Sequence, residues 1–207
     1  MTIQQHLLST PAPSFTPVFR QYVGPGSGTD TAPAGASKVR IWVVGGGGAG
    51  AYRDGVMPNG YGGASGAGCE SEYAVSGGQT TNYSLGYGGQ ATLTSSGFGG
   101  LSSVTSGSLS ITTMQAEGGN SGTGSIASAS ASGGTIGNYS GQAQKPPDVY
   151  GPGYRAYPPL PWWGQPGWET ADLSTMNDTV GRGMEGAAYP NSAGTSGTPG
   201  SVIFYYT

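Results

Sequence analysis

Residues 37–44, SKVRIWVV, run without a break into residues 45–50, GGGGAG. The first half alternates as a strand does, with Val39, Ile41 and Val43 on one face and Arg40, Trp42 and Val44 on the other. The second half offers no side chain to pack. Glycine in regular structure costs about 1 kcal/mol relative to alanine in lost backbone freedom. A chain that places a strong strand directly before such a tract has two ways to order it: dense backbone hydrogen bonding or burial between subunits. Similar junctions recur where residues 81–87 (TNYSLGY) meet GGQA and where GTSGTPG meets the closing strand, residues 201–206 (SVIFYY).

Two conformations suit such tracts. Without Cβ atoms, backbones approach closely, and glycine at every third position permits left-handed polyproline-II-like helices that pair with their neighbours. Gly60, Gly63 and Gly66 keep that spacing, as do Gly119 and Gly122. The alternative is a set of long loops that use glycine for positive φ.

Composition decides whether such a chain folds at all. Glycine supplies 42 and proline 15 of the 207 residues, a level at which low-complexity disorder is the ordinary expectation. Disordered chains pair low hydrophobicity with high net charge, whereas this one carries a formal −3 and 13 Tyr, four Trp and four Phe. That balance favours a compact or self-associating chain. The aliphatic core is thin for this length and Cys69 is the sole cysteine, so an obligate oligomer is expected. No apolar run approaches a membrane span, and the start MTIQQHLLSTPAP has neither the basic nor the long apolar region of a secretory signal. Seven basic and ten acidic residues, scattered singly, form no stripe for nucleic acid.

Along the chain, residues 1–13 form a leader. Ile3, Leu7 and Leu8 can make one or two amphipathic turns, capped by Thr2 and ended by Pro11 and Pro13. Residues 14–207 form one glycine-rich β domain. Residues 14–23 read as an edge strand because of Pro17, followed by the turn-rich GPGSGTDTAPAG. A strand pair, residues 70–75 and 81–87, flanks a Gly77–Gly78 turn, and residues 101–105 and 109–114 read as short strands. Short strands punctuated by glycine and proline predict an all-β sandwich. Residues 118–142 are Gly/Ser/Ala-rich. Residues 144–173 are the opposite, an insertion holding seven prolines, three tyrosines and three tryptophans.

Several chemical motifs fail on inspection. Gly45, Gly47 and Gly50 satisfy the dinucleotide fingerprint, with Glu70 twenty residues on, but Asp54-Gly55 and Pro58-Asn59-Gly60 interrupt the helix that the mechanism needs. No Lys-Ser or Lys-Thr follows to make a P-loop. His6, the one histidine, lies in the leader and cannot anchor a catalytic triad, and it leaves no His/Cys set for zinc. Glu70 and Glu72 share a strand face, the bland reading being two solvated side chains rather than a glycosidase pair. Cys69 has no neighbouring cation to activate it and reads as filler. The expectation is a non-enzyme without cofactor or metal.

The order of features is a pattern in itself. Pro33-Ala34-Gly35 precedes SKVRIWVVGGGGAG, then a glycine tract, NYSLGYGGQA, the late glycines GRGMEG and GTSGTPG, and SVIFYY. This resembles the glycine-rich C-terminal domain of bacteriophage tail-fibre and receptor-binding proteins, over residues 14–207. The resemblance implies a β-rich homotrimer on the virion (tail fibre, fibre tip or head fibre) that presents variable loops to a host surface polysaccharide or outer-membrane protein. The leader, through Ile3, Leu7 and Leu8, is then the docking peptide for another virion protein. A structural decoration or connector without receptor binding is the other reading.

Within that frame the insertion is the candidate receptor contact. Tyr150, Tyr154, Tyr157, Trp162, Trp163 and Trp168 offer flat faces for sugar rings, and prolines limit the entropy lost on ordering them. Arg155, with Asp148 and Glu169, adds hydrogen-bonding groups. The same aromatics also suit core or intersubunit packing.

Overall fold

A computed structural model describes residues 15–51, 62–93, 97–122, 128–142 and 194–207. Over these residues the chain is all-β, with two antiparallel five-stranded sheets and no helix. The strands are β1 (Val18–Val23), β2 (Gly26–Thr31), β3 (Lys38–Val44), β4 (Gly68–Ala74), β5 (Thr80–Leu85), β6 (Ser102–Ser106), β7 (Met114–Ala116), β8 (Ala131–Ser132), β9 (Gly137–Tyr139) and β10 (Ser201–Tyr206). One sheet has the order β1-β10-β3-β4-β9, the other β2-β5-β6-β7-β8.

Alternation decides what lies between the sheets. Val39, Ile41 and Val43 of β3, Val202, Phe204 and Tyr206 of β10, and Cys69 of β4 meet Val104 and Met114 of the second sheet in one core. Tyr22 stacks on Tyr83 across the sheets, with ring centroids 4.3 Å apart. The outer face of β3 and β10 carries a smaller apolar cluster of Trp42, Val44 and Ile203, with Tyr139 and Tyr205 against it.

The strand reading differs in several places, among them β8 and β9, which arise within the Gly/Ser/Ala-rich stretch 118–142. The strands flanking Gly77–Gly78 do not pair. β4 lies in one sheet and β5 in the other, and the positive-φ turn at Gly78 carries the chain between them. The strand expected at residues 109–114 begins only at Met114. β2 arises from GSGTDT, which reads as turn sequence. The leader and the 144–173 insertion lie outside the described residues.

The glycine tracts grow directly out of the strands. β3 continues into residues 45–50 and β4 is preceded by residues 62–67. β5 leads to 86–91, and 97–101 lead into β6. β7 leads to 117–122, and 194–200 lead into β10. Here backbone hydrogen bonding replaces side-chain packing. Amides of the 45–50 tract donate in rotation to three neighbours at 2.8 to 3.0 Å. Gly45 and Gly48 donate to Ala67 and Ala64, Gly46 and Ala49 to Gly100 and Gly97, and Gly47 and Gly50 to Thr198 and Thr195. The carbonyls of Gly46 and Ala49 accept from Gly119 and Gly122, and that of Gly47 accepts from Gly89. A bond direction that returns every third residue is the period of a polyproline-II-type helix.

These tracts do not use glycine for left-handed turns. The described positive-φ glycines are Gly24, Gly26, Gly35, Gly78 and Gly133, none within these six tracts. Glycine is required by proximity. A Cβ at Gly63 or Gly66 would come within 3.0 Å of the carbonyl carbons of Gly48 and Gly45.

Candidate functional site

The strand directions give the molecule two distinct ends. β3 runs toward the glycine tracts and β10 away from them, so Thr207 lies at the far end, its carbonyl accepting from the amides of Ser37 and Lys38 at 2.8 and 3.0 Å. β1 is antiparallel to β10 with Val18 opposite Tyr206, so it too begins at that base. Phe15 packs there, against Gly35 and the core.

At the other end the tracts terminate together. The Gly50 amide reaches Thr195, Ala49 is bonded to both Gly97 and Gly122, Gly97 donates to Gln90, and Ser65 donates to Gln142. These residues flank segments 52–61, 94–96 and 143–193 on both sides and segment 123–127 at Gly122, so the described chain breaks off at this end. Nearby, the 86–101 flank exposes Tyr87 (57%), Leu93 (65%) and Phe98 (57%). Phe98 and Leu101 stand three apart, one turn of a three-residue helix.

Among the described residues the most elaborate polar cluster, around Asp30, serves the fold. Asp30 of β2 is 1% exposed and lies at the seam between the sheets. Its Oδ1 accepts from Arg20 Nη1 at 2.9 Å and from the Tyr22 hydroxyl at 2.7 Å, and its Oδ2 accepts a short bond from the Tyr206 hydroxyl. Arg20 also donates to the Thr31 carbonyl at 2.6 Å and lies over the Tyr206 ring. The bond to Asp30 raises the Arg20 guanidinium above its ordinary range. Burial, then the bond to Asp30, pushes the Tyr22 phenol up to about 12, and the same causes hold Tyr206 well above the usual phenol range. With both carboxylate oxygens engaged, Asp30 ties β1 and β10 of one sheet to β2 of the other.

The remaining chemical groups have structural surroundings. Gly45, Gly47 and Gly50 of the dinucleotide-like motif commit their amides to neighbouring carbonyls, and their tract opens no helix within residues 45–51. Glu70 and Glu72 are ion-paired to Arg40 and, at 3.2 Å, to Lys38. Cys69 is buried, its thiol pushed up to about 12 by desolvation, with Sγ 3.6 Å from the Gln115 carbonyl. Glu117 is held below the usual carboxylate range by bonds from the Ser130 hydroxyl and amide, at 2.6 and 2.9 Å. Among the described residues no three His, Cys, Asp or Glu side chains gather as a metal site, and no helix is long and apolar enough to cross a membrane.

The sequence-based site residues Tyr150, Tyr154, Arg155, Tyr157, Trp162, Trp163 and Trp168, and the docking residues Ile3, Leu7 and Leu8, lie outside the described residues. Their flanks are informative. Gln142 and Gly194 bracket the aromatic segment at the tract end, whereas residues 1–14 precede Phe15 at the base. Sequence reasoning missed the Asp30 cluster, whose one signal was an acidic residue inside a glycine-serine-threonine run. A scan against protein-family models finds no match to this chain, and a comparison with curated proteins finds none either.

Proposed function

We propose that this chain is a bacteriophage virion protein, a fibre or fibre tip that attaches the particle to the host cell surface. The observation that carries the reading is polarity. Phe15, which follows the leader in sequence, lies at the base, whereas Gln142 and Gly194, which bracket the segment bearing Trp162, Trp163 and Trp168, lie on the side of the glycine tracts. In this reading Ile3, Leu7 and Leu8 dock another virion protein. Tyr150, Tyr154, Tyr157 and the three tryptophans stack on sugar rings of a surface polysaccharide or pack on an outer-membrane protein, with Arg155 supplying hydrogen bonds. The glycine tracts act as a polyglycine-II bundle, a stiff mount that needs no side-chain core. Three copies assemble through apolar surface, of which the exposed Tyr87, Phe98 and Leu101 flank is the described part. No catalysis, cofactor or metal is involved.

The test is direct. Immunogold labelling of particles that carry the chain should mark a fibre end, and labelled full-length protein should sediment with bacteria those particles infect. A Trp162→Ala/Trp163→Ala double variant with unchanged melting temperature should lose that binding. Binding that persists in this variant removes the insertion from the receptor contact. No binding by the assembled wild-type protein rejects attachment and favours the other class, a decoration or connector of the particle, which the exposed apolar flank also suits. Sedimentation equilibrium checks the trimer, and a monomeric mass sinks it.

A further inference from the structure

We infer that β1 is a shear anchor, the strand through which tension between the base and the tract end is carried into both sheets. The geometry is set by register. β1 pairs antiparallel with β10 along its whole length, from Val18 opposite Tyr206 at the base to Val23 opposite Ser201 beside the glycine tracts. A pull on residues preceding Phe15, opposed by a hold at the tract end, runs along the strand axis. It loads every rung between β1 and β10 at once. A pull between residue 15 and Thr207 is different, because Val18 and Tyr206 are neighbours at the same end. That pull opens the ladder one rung at a time.

An edge strand held by its ladder alone would slide once the ladder failed. β1 has further ties that resist sliding. Arg20 and Tyr22 both reach Asp30 in the opposite sheet, and Tyr22 stacks on Tyr83 of β5. Ser201 Oγ donates to the Tyr22 carbonyl at 2.9 Å and accepts from Gln21 Nε2 at 3.4 Å. These ties couple β1 to β2, β5 and β10 by directional bonds whose lengths change when the strand slides. Beyond the sandwich the load passes from β10 into residues 194–200, where Gly197 and Gly200 donate to Gly89 and Gly86 and the carbonyls of Thr195 and Thr198 accept from Gly50 and Gly47. Forced rupture reports the barrier to unfolding rather than equilibrium stability, so anchors of this kind act on the rate. The inference adds a load path to the attachment reading but does not depend on cell binding, since force measurements need no host.

Single-molecule pulling on the full-length protein tests it. One handle is fused to the N-terminus, and the other is placed either at Leu93→Cys, 65% exposed near the tract end, or after Thr207. The expected rupture force is severalfold higher for the Leu93→Cys attachment than for the C-terminal one. Arg20→Gln and Tyr22→Phe should each lower the first force and leave the second unchanged, the latter variant keeping its ring against Tyr83. Equal forces for the two attachments overturn the proposal, as does a Leu93→Cys rupture force that neither variant moves.

Discussion

Gly48 and Asn120 stand so close that a Cβ on Gly48 would lie within 3.0 Å of the Asn120 carbonyl carbon. The obstacle is backbone on a bonded neighbour, so the side chain cannot rotate away. Gly48→Ala should therefore cost about 3 kcal/mol as an overpacking change, lowering Tm by roughly 10 °C for a domain of this size. Gly78 is the control. It has φ of +87° with nothing within 4 Å of a Cβ, so Gly78→Ala should cost about 1 kcal/mol through conformation alone. Thermal melts of the two variants decide it, and equal losses would remove proximity as the reason for the tract glycines.

Amide exchange should separate an ordered bundle from solvated loops. Amides of Gly46, Gly47, Gly48 and Ala49 are bonded to carbonyls on three other tracts. They should exchange as slowly as those of Ile41 and Val43 in β3, because all open only with the fold. Mass-spectrometric or NMR exchange of the 45–50 tract at loop-like rates would reject a backbone-bonded bundle.

Alkaline pH should attack the Asp30 cluster. Tyr22 and Tyr206 are both raised in the fold above the ordinary phenol value of 10, Tyr22 to about 12. Their contribution is complete below pH 10 and is lost as pH rises through the folded values, since the unfolded phenols ionise first. Melting temperature should fall from about pH 10 upward, with phenolate absorbance rising in step. Tyr206→Phe should cost about 1 to 3 kcal/mol at neutral pH by leaving Asp30 Oδ2 short of a donor, and should flatten the alkaline slope. An unchanged slope would show that Tyr206 is not the titrating group.

Acid acts at a different seam. Glu117 is lowered from 4.5 by the Ser130 hydroxyl first and the Ser130 amide second. A depressed carboxylate gives stability that is present above its unfolded pKa and lost as pH falls through the folded value. Ser130→Ala should reduce the stability lost below pH 4.5, by a small amount because the group is largely solvated. Comparison of melts at neutral pH and below pH 4 measures this, and identical losses in variant and wild type would refute it.

Side-chain alternation made β3 and β10 legible, because Val, Ile and Phe at every second residue mark the face that meets the other sheet, and Pro17 made the edge position of β1 legible. It could not say which sheet each strand joins. The residues around Gly77–Gly78 look like a hairpin, yet the turn passes between sheets. β2 was hidden because Gly, Ser and Thr carry no strand pattern, and its contribution is a polar one, the Asp30 carboxylate. The tracts were half legible. Gly119 and Gly122 show the three-residue spacing, and they donate to Gly46 and Ala49, two rungs of one neighbour. In GGGGAG every phase looks alike, so the partners of each amide are visible only in three dimensions. The tract end was not legible at all, since the meeting of residues 51, 97, 122 and 194 depends on how two sheets align.

Because the tracts recognise one another mainly through backbone, with the Ser196 hydroxyl on the Ala91 amide as a side-chain tie, they contain few letters that fix their alignment; that alignment is inherited from the strands at their roots. Rotation advances by a third of a turn per residue. One glycine added within residues 62–67 would swing every later amide toward the wrong neighbour, whereas three would lengthen the tract by a turn and restore the pattern. Such a lattice grows or shrinks in triplets, and its evolutionary grammar for insertions is the one a reading frame imposes on a gene.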